Sequence, residues 1–297
     1  MNLSLGPLLY YWSRDDVLAF YAEARHWPVT RIYLGETVCS RRHLLRLPDW
    51  LELAEQLAAA GKEVVLSTQT LIESESDLKT LRRIVDDGRF QIEANEWGAV
   101  RLLSAAGVPF VAGPTLNVYN HETLDMLAGL GAQRWLPLVE MSRTTLAALL
   151  ERAPAGMETE VFAYGRLPLA YSARCFTARH YNLPKDDCQF RCLDHADGLL
   201  LSTREGEPFL ALNGIQTQSA GVYTLVGELP ALHELGIASL RLSPQSRHMG
   251  SVVEAFETAL AGEPVSASAL ARIMPGAPVD GYWHGQAGLE YGAERTC

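Results

Sequence analysis

Short apolar runs alternate with longer amphipathic segments over the first 165 residues of the chain. Seven of these runs have the length and composition of β-strands, at residues 7–12, 31–35, 63–69, 90–95, 110–114, 134–140 and 160–165. The segments between them space their apolar residues for helices. One such segment starts with Pro48 and stops before Gly61, as helices often do. Strands that alternate with helices predict βαβ units and a parallel sheet.

An eighth unit follows only after a gap. Residues 239–243 predict a strand and residues 250–261 its helix, whereas residues 166–238 lack the repeat. No low-complexity linker divides the chain, and an α/β barrel of roughly 250 residues fits its length. We therefore predict a single α/β domain over residues 1–297. It would be a TIM-like (β/α)8 barrel with a long cysteine-bearing insertion between strands seven and eight, at about 166–238, and an irregular C-terminal tail at about 275–297.

Composition and charge narrow the class of function. The apolar fraction is 48% and the charged fraction 20%, which is ordinary for a globular protein. No apolar run is long enough for a membrane span, and the first residues lack the basic region of a secretory signal. We therefore expect a cytoplasmic protein without a membrane span. The net charge of −10 argues against binding to nucleic acid, because contacts to phosphate need clustered Lys and Arg.

The cysteines are the main candidates for chemistry. Cys175, Cys188 and Cys192 have the spacing C-x12-C-x3-C, Cys39 lies far upstream, and Cys297 is the last residue. A reducing cytoplasm and an odd number of cysteines both argue against a disulfide framework. In a barrel, Cys39 after strand two and Cys175 after strand seven would lie on the same face. The sequence thus predicts one site with four cysteines, and the alternative is that Cys39 is only a small buried residue.

The spacing leaves the nature of the bound metal open. Four cysteines suffice for a 4Fe–4S cluster, whereas His180 and His195 would allow a mixed Cys/His zinc site. Nearby cations would offset the negative charge of a cluster, or they form a solvated basic loop. These cations are Arg174, Arg179, Lys185 and Arg191.

No catalytic residue can be assigned from the sequence. The chain has no G-x-S-x-G elbow, no H-E-x-x-H motif and no glycine-rich phosphate loop. Glu36, Glu93 and Glu140 would lie at the ends of strands, where carboxylates can transfer protons. The alternative is that these carboxylates pair with Arg166 or Arg241 and hold the loops.

Two segments resemble a known family. Residues 164–179, YGRLPLAYSARCFTAR, together with Cys188 and Cys192, and the run RIYLGETVCSRR around Cys39, are similar to the collagenase-like peptidase family U32. The resemblance covers essentially the whole chain and is strongest to members that hold a 4Fe–4S cluster. It implies that Cys39, Cys175, Cys188 and Cys192 bind such a cluster. Cys297 has no counterpart in the pattern and is expected to be a free tail residue.

The same resemblance implies a reaction and partners. The related proteins support oxygen-independent hydroxylation of the ring of a quinone precursor in ubiquinone biosynthesis. By that resemblance the chain would form a heterodimer with a UbiU-like protein, be accompanied by a UbiT-like lipid-carrier protein, and act as a subunit of a hydroxylase complex. Three alternatives stay open: a peptidase-like hydrolase, an RNA-base hydroxylation factor of the same family, and a binding protein with a structural zinc ion.

Overall fold

The computed structural model describes residues 1–292, and its core is a parallel β-barrel. The first seven barrel strands are β1 (Asn2–Leu5), β2 (Arg31–Leu34), β3 (Glu63–Ser67), β4 (Gln91–Ala94), β5 (Phe110–Ala112), β6 (Ala132–Trp135) and β7 (Glu158–Gly165). The helices between them are α1 (Arg14–Ala24), α2 (Leu47–Ala59), α3 (Glu75–Asp87), α4 (Trp97–Ala106), α5 (His121–Gly129) and α6 (Arg143–Leu150).

The rest of the chain forms the insertion, the eighth barrel strand and the C-terminal elements. The insertion contains β8 (Pro168–Tyr171), α7 (Phe176–His180), β9 (Leu199–Ser202), β10 (Pro208–Asn213), β11 (Gln216–Ser219), β12 (Val222–Thr224) and α8 (Leu229–Glu234). It is followed by β13 (Ser239–Leu242), α9 (Met249–Leu260), α10 (Ala267–Ile273) and β14 (Pro278–Val279).

Strand β13 closes the barrel. Leu240 pairs in parallel with Leu3 of β1 on one side and with Val161 of β7 on the other. The sheet therefore closes on itself with eight parallel strands, and the predicted TIM-like α/β barrel is confirmed. No helix among residues 1–292 is both long enough and apolar enough to cross a membrane.

The local sequence explains where the elements begin and end. Helix α3 begins after Ser74, whose hydroxyl accepts a hydrogen bond from the amide of Asp77, and it ends at Gly88 with a φ of 64°. A left-handed residue of this kind is the usual helix terminator, because glycine adopts it without a steric penalty. The apolar faces of the helices pack on the outside of the barrel in one large core.

The first strand lies elsewhere than predicted. Residues 7–12, PLLYYW, are not a strand, and β1 is the preceding segment Asn2–Leu5. The apolar run is nevertheless buried, because it crosses the end of the barrel and packs beneath the insertion. Trp12 donates from Nε1 to the carbonyl of Ala196 at 2.6 Å, and the ring of Tyr11 packs against Phe190. Apolar composition alone does not separate a buried strand from a buried loop.

The insertion forms its own antiparallel sheet over the barrel. Its strand order is β8-β11-β10-β9. Pro168 and Tyr171 of β8 line a small cavity together with Gly6 and Glu93 from the barrel, so the insertion covers the C-terminal ends of the barrel strands. This is the end where barrel enzymes carry their sites. In the C-terminal region, the described part contains β14 and a 3-10 turn at Gly281–His284.

Candidate functional site

Cys39 lies in a tightly turned loop after β2. One carboxylate oxygen of Glu36, Oε1, accepts hydrogen bonds from the amides of Val38 at 2.9 Å and Cys39 at 3.0 Å. The amide of Arg42 donates to the carbonyl of Cys39 at 3.0 Å, which closes the turn. The loop is therefore fixed at both ends, and Glu36 holds it in place.

Cys175 begins the short helix α7 in the insertion. Its Sγ accepts a hydrogen bond from the amide of Ala178 at 3.4 Å, which is the position of a helix N-cap. Cys39 and Cys175 both pack against one small apolar cluster, formed by Leu9, Val38 and Ile215. The barrel thus brings together two cysteines with 135 residues between them, on the face where the sequence placed them.

Arg42 is a buried cation beside the thiols. Arg42 is only 4% exposed. Its Nη1 donates to the carbonyl of Leu9 and its Nη2 donates to Oδ1 of Asn213, both at 2.7 Å. The guanidinium also interacts electrostatically with Cys192 and Cys39. Its Nε–H is buried and has no hydrogen-bond partner within the described residues. This buried cation, which also pairs with Oε1 of Glu36 at 3.6 Å, therefore lies next to two of the four cysteines.

Burial disfavours the thiolate forms of Cys39 and Cys192. It raises the pKa of the Cys39 thiol to about 11, and it also raises the pKa of Cys192, while Arg42 acts to lower both. Negative charge on Cys175 would raise the pKa of Cys39 and of Cys192 alike, so the three thiols are near neighbours. A bound metal would reverse this preference, because it stabilises the thiolate that binds it.

Cys188 and Cys192 lie on a segment that is attached to the Cys39 loop. Arg41 donates from Nη1 to Oδ1 of Asp186 at 3.3 Å and from Nη2 to the carbonyl of the same residue at 2.6 Å. Asp186 belongs to the 3-10 turn Lys185–Asp187, for which Cys188 is the C-cap. The turn that carries Cys188 is thereby joined to the chain two residues after Cys39.

The two histidines near these cysteines have other partners. Nε2 of His195 hydrogen-bonds the hydroxyl of Tyr181 at 2.7 Å, and burial lowers the pKa of this imidazole. The ring of His180 packs edge-on against the same tyrosine. His180 is the last residue of helix α7, and His195 follows the 3-10 turn Arg191–Asp194. Cys297 lies outside the described residues.

The arrangement of the thiols bears on which metal they suit. Zinc binds sulfur at about 2.3 Å, so four thiolates around one zinc ion lie within roughly 4 Å of each other. Within residues 1–292, no three Cys, His, Asp or Glu side chains are grouped to hold a single metal ion. A 4Fe–4S cluster places four irons between its cysteines and accepts a wider spacing. Cys39, Cys175 and Cys192 are thiols of the kind that a zinc ion or a 4Fe–4S cluster uses, and Arg42 lies beside two of them.

The predicted strand-end acids divide into different roles. Glu93 is 1% exposed and accepts from Arg241 at 2.6 Å and from Ser67 at 2.6 Å, which is the structural pairing predicted as the alternative to proton transfer. Glu140 accepts a hydrogen bond from Tyr119 near the surface. Glu36 holds the Cys39 loop, as described above. Arg166 donates to backbone carbonyls, among them Pro275 at 2.8 Å, instead of to a carboxylate.

Arg42 is the residue of this site that the sequence prediction missed. The cations considered were those around Cys175 to Cys192, but Lys185 pairs with Glu73, and Arg191 pairs with Asp194 at 3.3 Å. Arg42 follows Cys39 by three residues, within the family-like run RIYLGETVCSRR. That closeness in sequence to a predicted ligand was the available signal.

Comparisons with known proteins place the chain in a family. The model of Peptidase family U32 matches residues 18–262. The solved structure of the U32 peptidase Mk0906 is 12% identical, with a TM-score of 0.47, and the match covers 82% of this chain and 93% of that one. The spore cortex-lytic enzyme SleL of Bacillus megaterium QM B1551 is 12% identical, with a TM-score of 0.43, over 89% of this chain and 75% of that one. The family match extends over more than half of the sequence, from α1 through α9, and the chain belongs to peptidase family U32.

Proposed function

We propose that the chain is a UbiV-like 4Fe–4S protein of family U32. In this proposal, Cys39, Cys175, Cys188 and Cys192 bind the cluster, and the protein pairs with a UbiU-like partner, with a UbiT-like lipid carrier as accessory. The complex hydroxylates the ring of a quinone precursor without dioxygen. The hydroxyl oxygen replaces a ring hydrogen, so the ring loses two electrons and an organic oxygen donor gains them.

One observation carries the proposal: Cys39 and Cys175 are distant in sequence but pack against the same apolar cluster, and Arg42 lies beside Cys39 and Cys192. Free buried cysteines are common, but two cysteines so far apart in sequence that lie side by side next to a buried arginine have the arrangement of ligands to a shared metal group. The resemblance of the sequence to the family implies that Cys188 is the fourth ligand. A bound cluster would supply single-electron chemistry that amino-acid side chains lack.

The protein's own residues then have defined tasks. Glu36 fixes the Cys39 loop, and Arg41 holds the turn of Cys188 against it. Arg42 places a fixed positive charge beside Cys39 and Cys192. These contacts orient the ligands before the metal binds, which reduces the conformational entropy lost on binding. A net charge of −10 does not favour RNA as the substrate.

Complementation tests the function in cells. We expect that cells lacking this protein, grown without oxygen, accumulate an under-hydroxylated quinone precursor, and that the parent chain restores the mature quinone. A Cys175→Ala chain should restore less than a tenth of the parent level, since a missing ligand removes the cluster. The measurement is quinone content by liquid chromatography and mass spectrometry at matched protein levels.

The matched control is Ser172→Ala, which alters the same segment without removing a thiol. Full restoration by Cys175→Ala at a normal protein level would refute the proposed use of the cluster. Normal quinone in cells lacking the protein would refute the proposed pathway.

A further inference from the structure

A cleft of about 520 Å³ lies between helices α2 and α3, next to the loop that carries Cys39. Its floor includes Leu34 and Leu66 at the ends of β2 and β3, and its walls include Trp50 of α2 and Leu81 of α3. The cleft shares no lining residue with the small cavity beneath β8. Its volume falls in the range of roughly 300–1,000 Å³ that is typical of small-molecule sites.

The bottom of the cleft is apolar and closed. Leu34, Leu66 and Leu81 are each at most 3% exposed, because they also pack into the core of the domain. Ile84 lies three residues after Leu81, on the same face of α3, and extends this surface toward the rim. A planar ring that lies on these aliphatic side chains would be removed from water on one face.

Two arginines line the cleft without an ion-pair partner. Arg46 immediately precedes α2 and Arg83 lies on α3, so they come from opposite walls. Both are exposed, and neither forms an ion pair within residues 1–292. Asp49, which attracts Arg46, already pairs with Arg14 at 2.8 Å. The two guanidinium groups are therefore available to a ligand.

The two carboxylates of the cleft are already in use. Glu36 accepts from the amides of the Cys39 loop and pairs with Arg42 at 3.6 Å. Asp77 is 9% exposed and accepts from the amide of Glu73 at 3.1 Å. Three arginines and two carboxylates line the cleft, so its lining has one formal positive charge in excess.

This charge distribution suits a phosphate group. A phosphate monoester carries a charge of about −1.5 to −2 near neutral pH and presents three acceptor oxygens. The planar guanidinium of arginine binds such oxygens in pairs. His43 also lines the cleft and would add a donor on the same side as Arg46.

Gln69 presents an unpaired amide to the same cleft. The residue follows β3 and is half-buried, and its carboxamide makes no hydrogen bond in the described part of the chain. A carboxamide both donates and accepts, which is the pattern that pairs with the edge of an adenine ring. The cleft thus combines an apolar floor, a polar edge and a cationic rim.

We propose that this cleft binds a mononucleotide. The phosphate lies at Arg46 and Arg83, the base lies on the apolar floor, and Gln69 pairs with the edge of the base. Because Glu36 and Arg42 line the cleft and also hold the Cys39 loop, the bound nucleotide lies against the back of that loop. The site itself does not depend on the proposed function.

Adenosine 5′-monophosphate, adenosine and inorganic phosphate test the two halves of the site separately. Each is titrated calorimetrically into the full chain, purified without oxygen. We expect the monophosphate to bind at least tenfold more tightly than either adenosine or phosphate, and added salt to weaken it, because exposed ion pairs are screened. Geranyl phosphate carries the same phosphate on an apolar chain and should bind at least tenfold more weakly than the nucleotide, since it cannot pair with Gln69.

Arg83→Gln is the decisive variant, and Arg82→Gln on the same helix is its matched control. Arg83 is exposed and unpaired, so its loss should leave the melting temperature unchanged, weaken the monophosphate about tenfold and leave adenosine unaffected. Arg82 pairs with Glu75 at 2.7 Å and does not line the cleft, so its variant should retain the parent affinity for all probes. Gln69→Leu should weaken the monophosphate and adenosine but not inorganic phosphate.

Equal affinity for adenosine and its monophosphate, or parent affinity in Arg83→Gln, would overturn the phosphate contact. Geranyl phosphate bound as tightly as the nucleotide would overturn the assignment of the base. Iron and sulfide are measured on the same sample, so this proposal and the cluster fail separately. A chain without iron that still binds the nucleotide through Arg83 keeps the cleft site and removes the cluster.

Discussion

Cys39→Ala is expected to remove the bound cluster, whereas Cys297→Ala leaves it intact. Cys39 is held by Glu36 and the amide of Arg42, so its sulfur is placed before metal binds. No other cysteine lies on that loop, so none can replace the lost ligand there. The variant chain, purified without oxygen, should contain less than a tenth of the parent iron and sulfide and should lack the broad visible absorption.

Two controls separate loss of a ligand from loss of the fold. Cys297→Ala removes a thiol that the four-cysteine pattern does not use. Far-ultraviolet circular dichroism of Cys39→Ala should match that of the parent, because a half-buried small side chain contributes little to the barrel core. Parent levels of iron in Cys39→Ala would show that the long-range ligand is assigned wrongly.

Glu160→Gln is expected to destabilise the barrel by about 3–5 kcal/mol, the usual cost of breaking a buried ion pair. Glu160 is fully buried and accepts hydrogen bonds from Ser4, Tyr33, Arg31 and Arg241. Burial alone would raise the pKa of this carboxyl, but Arg241 and Arg31 hold it below its usual value. An amide in its place leaves Arg31 and Arg241 each with one carboxylate fewer and presents N–H donors to other donors.

Glu158→Gln on the same strand is the matched control. Glu158 pairs with Arg134 at 2.6 Å, but its side chain is 50% exposed, so its loss should cost at most about 1 kcal/mol. The free energies of unfolding come from urea titrations of the metal-free chains, with circular dichroism and tryptophan fluorescence as coincident probes. Similar costs for the two variants would contradict the central role given to Glu160.

The barrel could be predicted from the sequence because its signal is periodic. Each strand and helix between β2 and β7 has its own local pattern of apolar residues. Eight βα units are the number that closes a barrel of this kind. Residues 7–12 misled the prediction, since a buried loop under an insertion is as apolar as a strand. The antiparallel sheet of the insertion was not predicted at all. In its edge strand β9, half-buried and exposed residues alternate from Leu199 to Ser202. The residue types do not alternate between apolar and polar in the same way, so the sequence pattern did not predict a strand there.

The sequence also predicted only part of the candidate site. The common face of Cys39 and Cys175 followed from barrel topology, and the proposed ligand set followed from spacing and resemblance. The role of Arg42 could not be derived by these means, although its position three residues after Cys39 was a signal. Its side-chain partners, Leu9 and Asn213, are brought to it only by folding.

Iron, sulfide and zinc analysis of the anaerobically purified chain, together with its visible spectrum, tests the central proposal most directly. A 4Fe–4S site predicts about four irons and four sulfides per chain and a broad visible absorption that dioxygen bleaches. Zinc in place of iron, with no sulfide, would contradict the cluster and with it the proposed redox function.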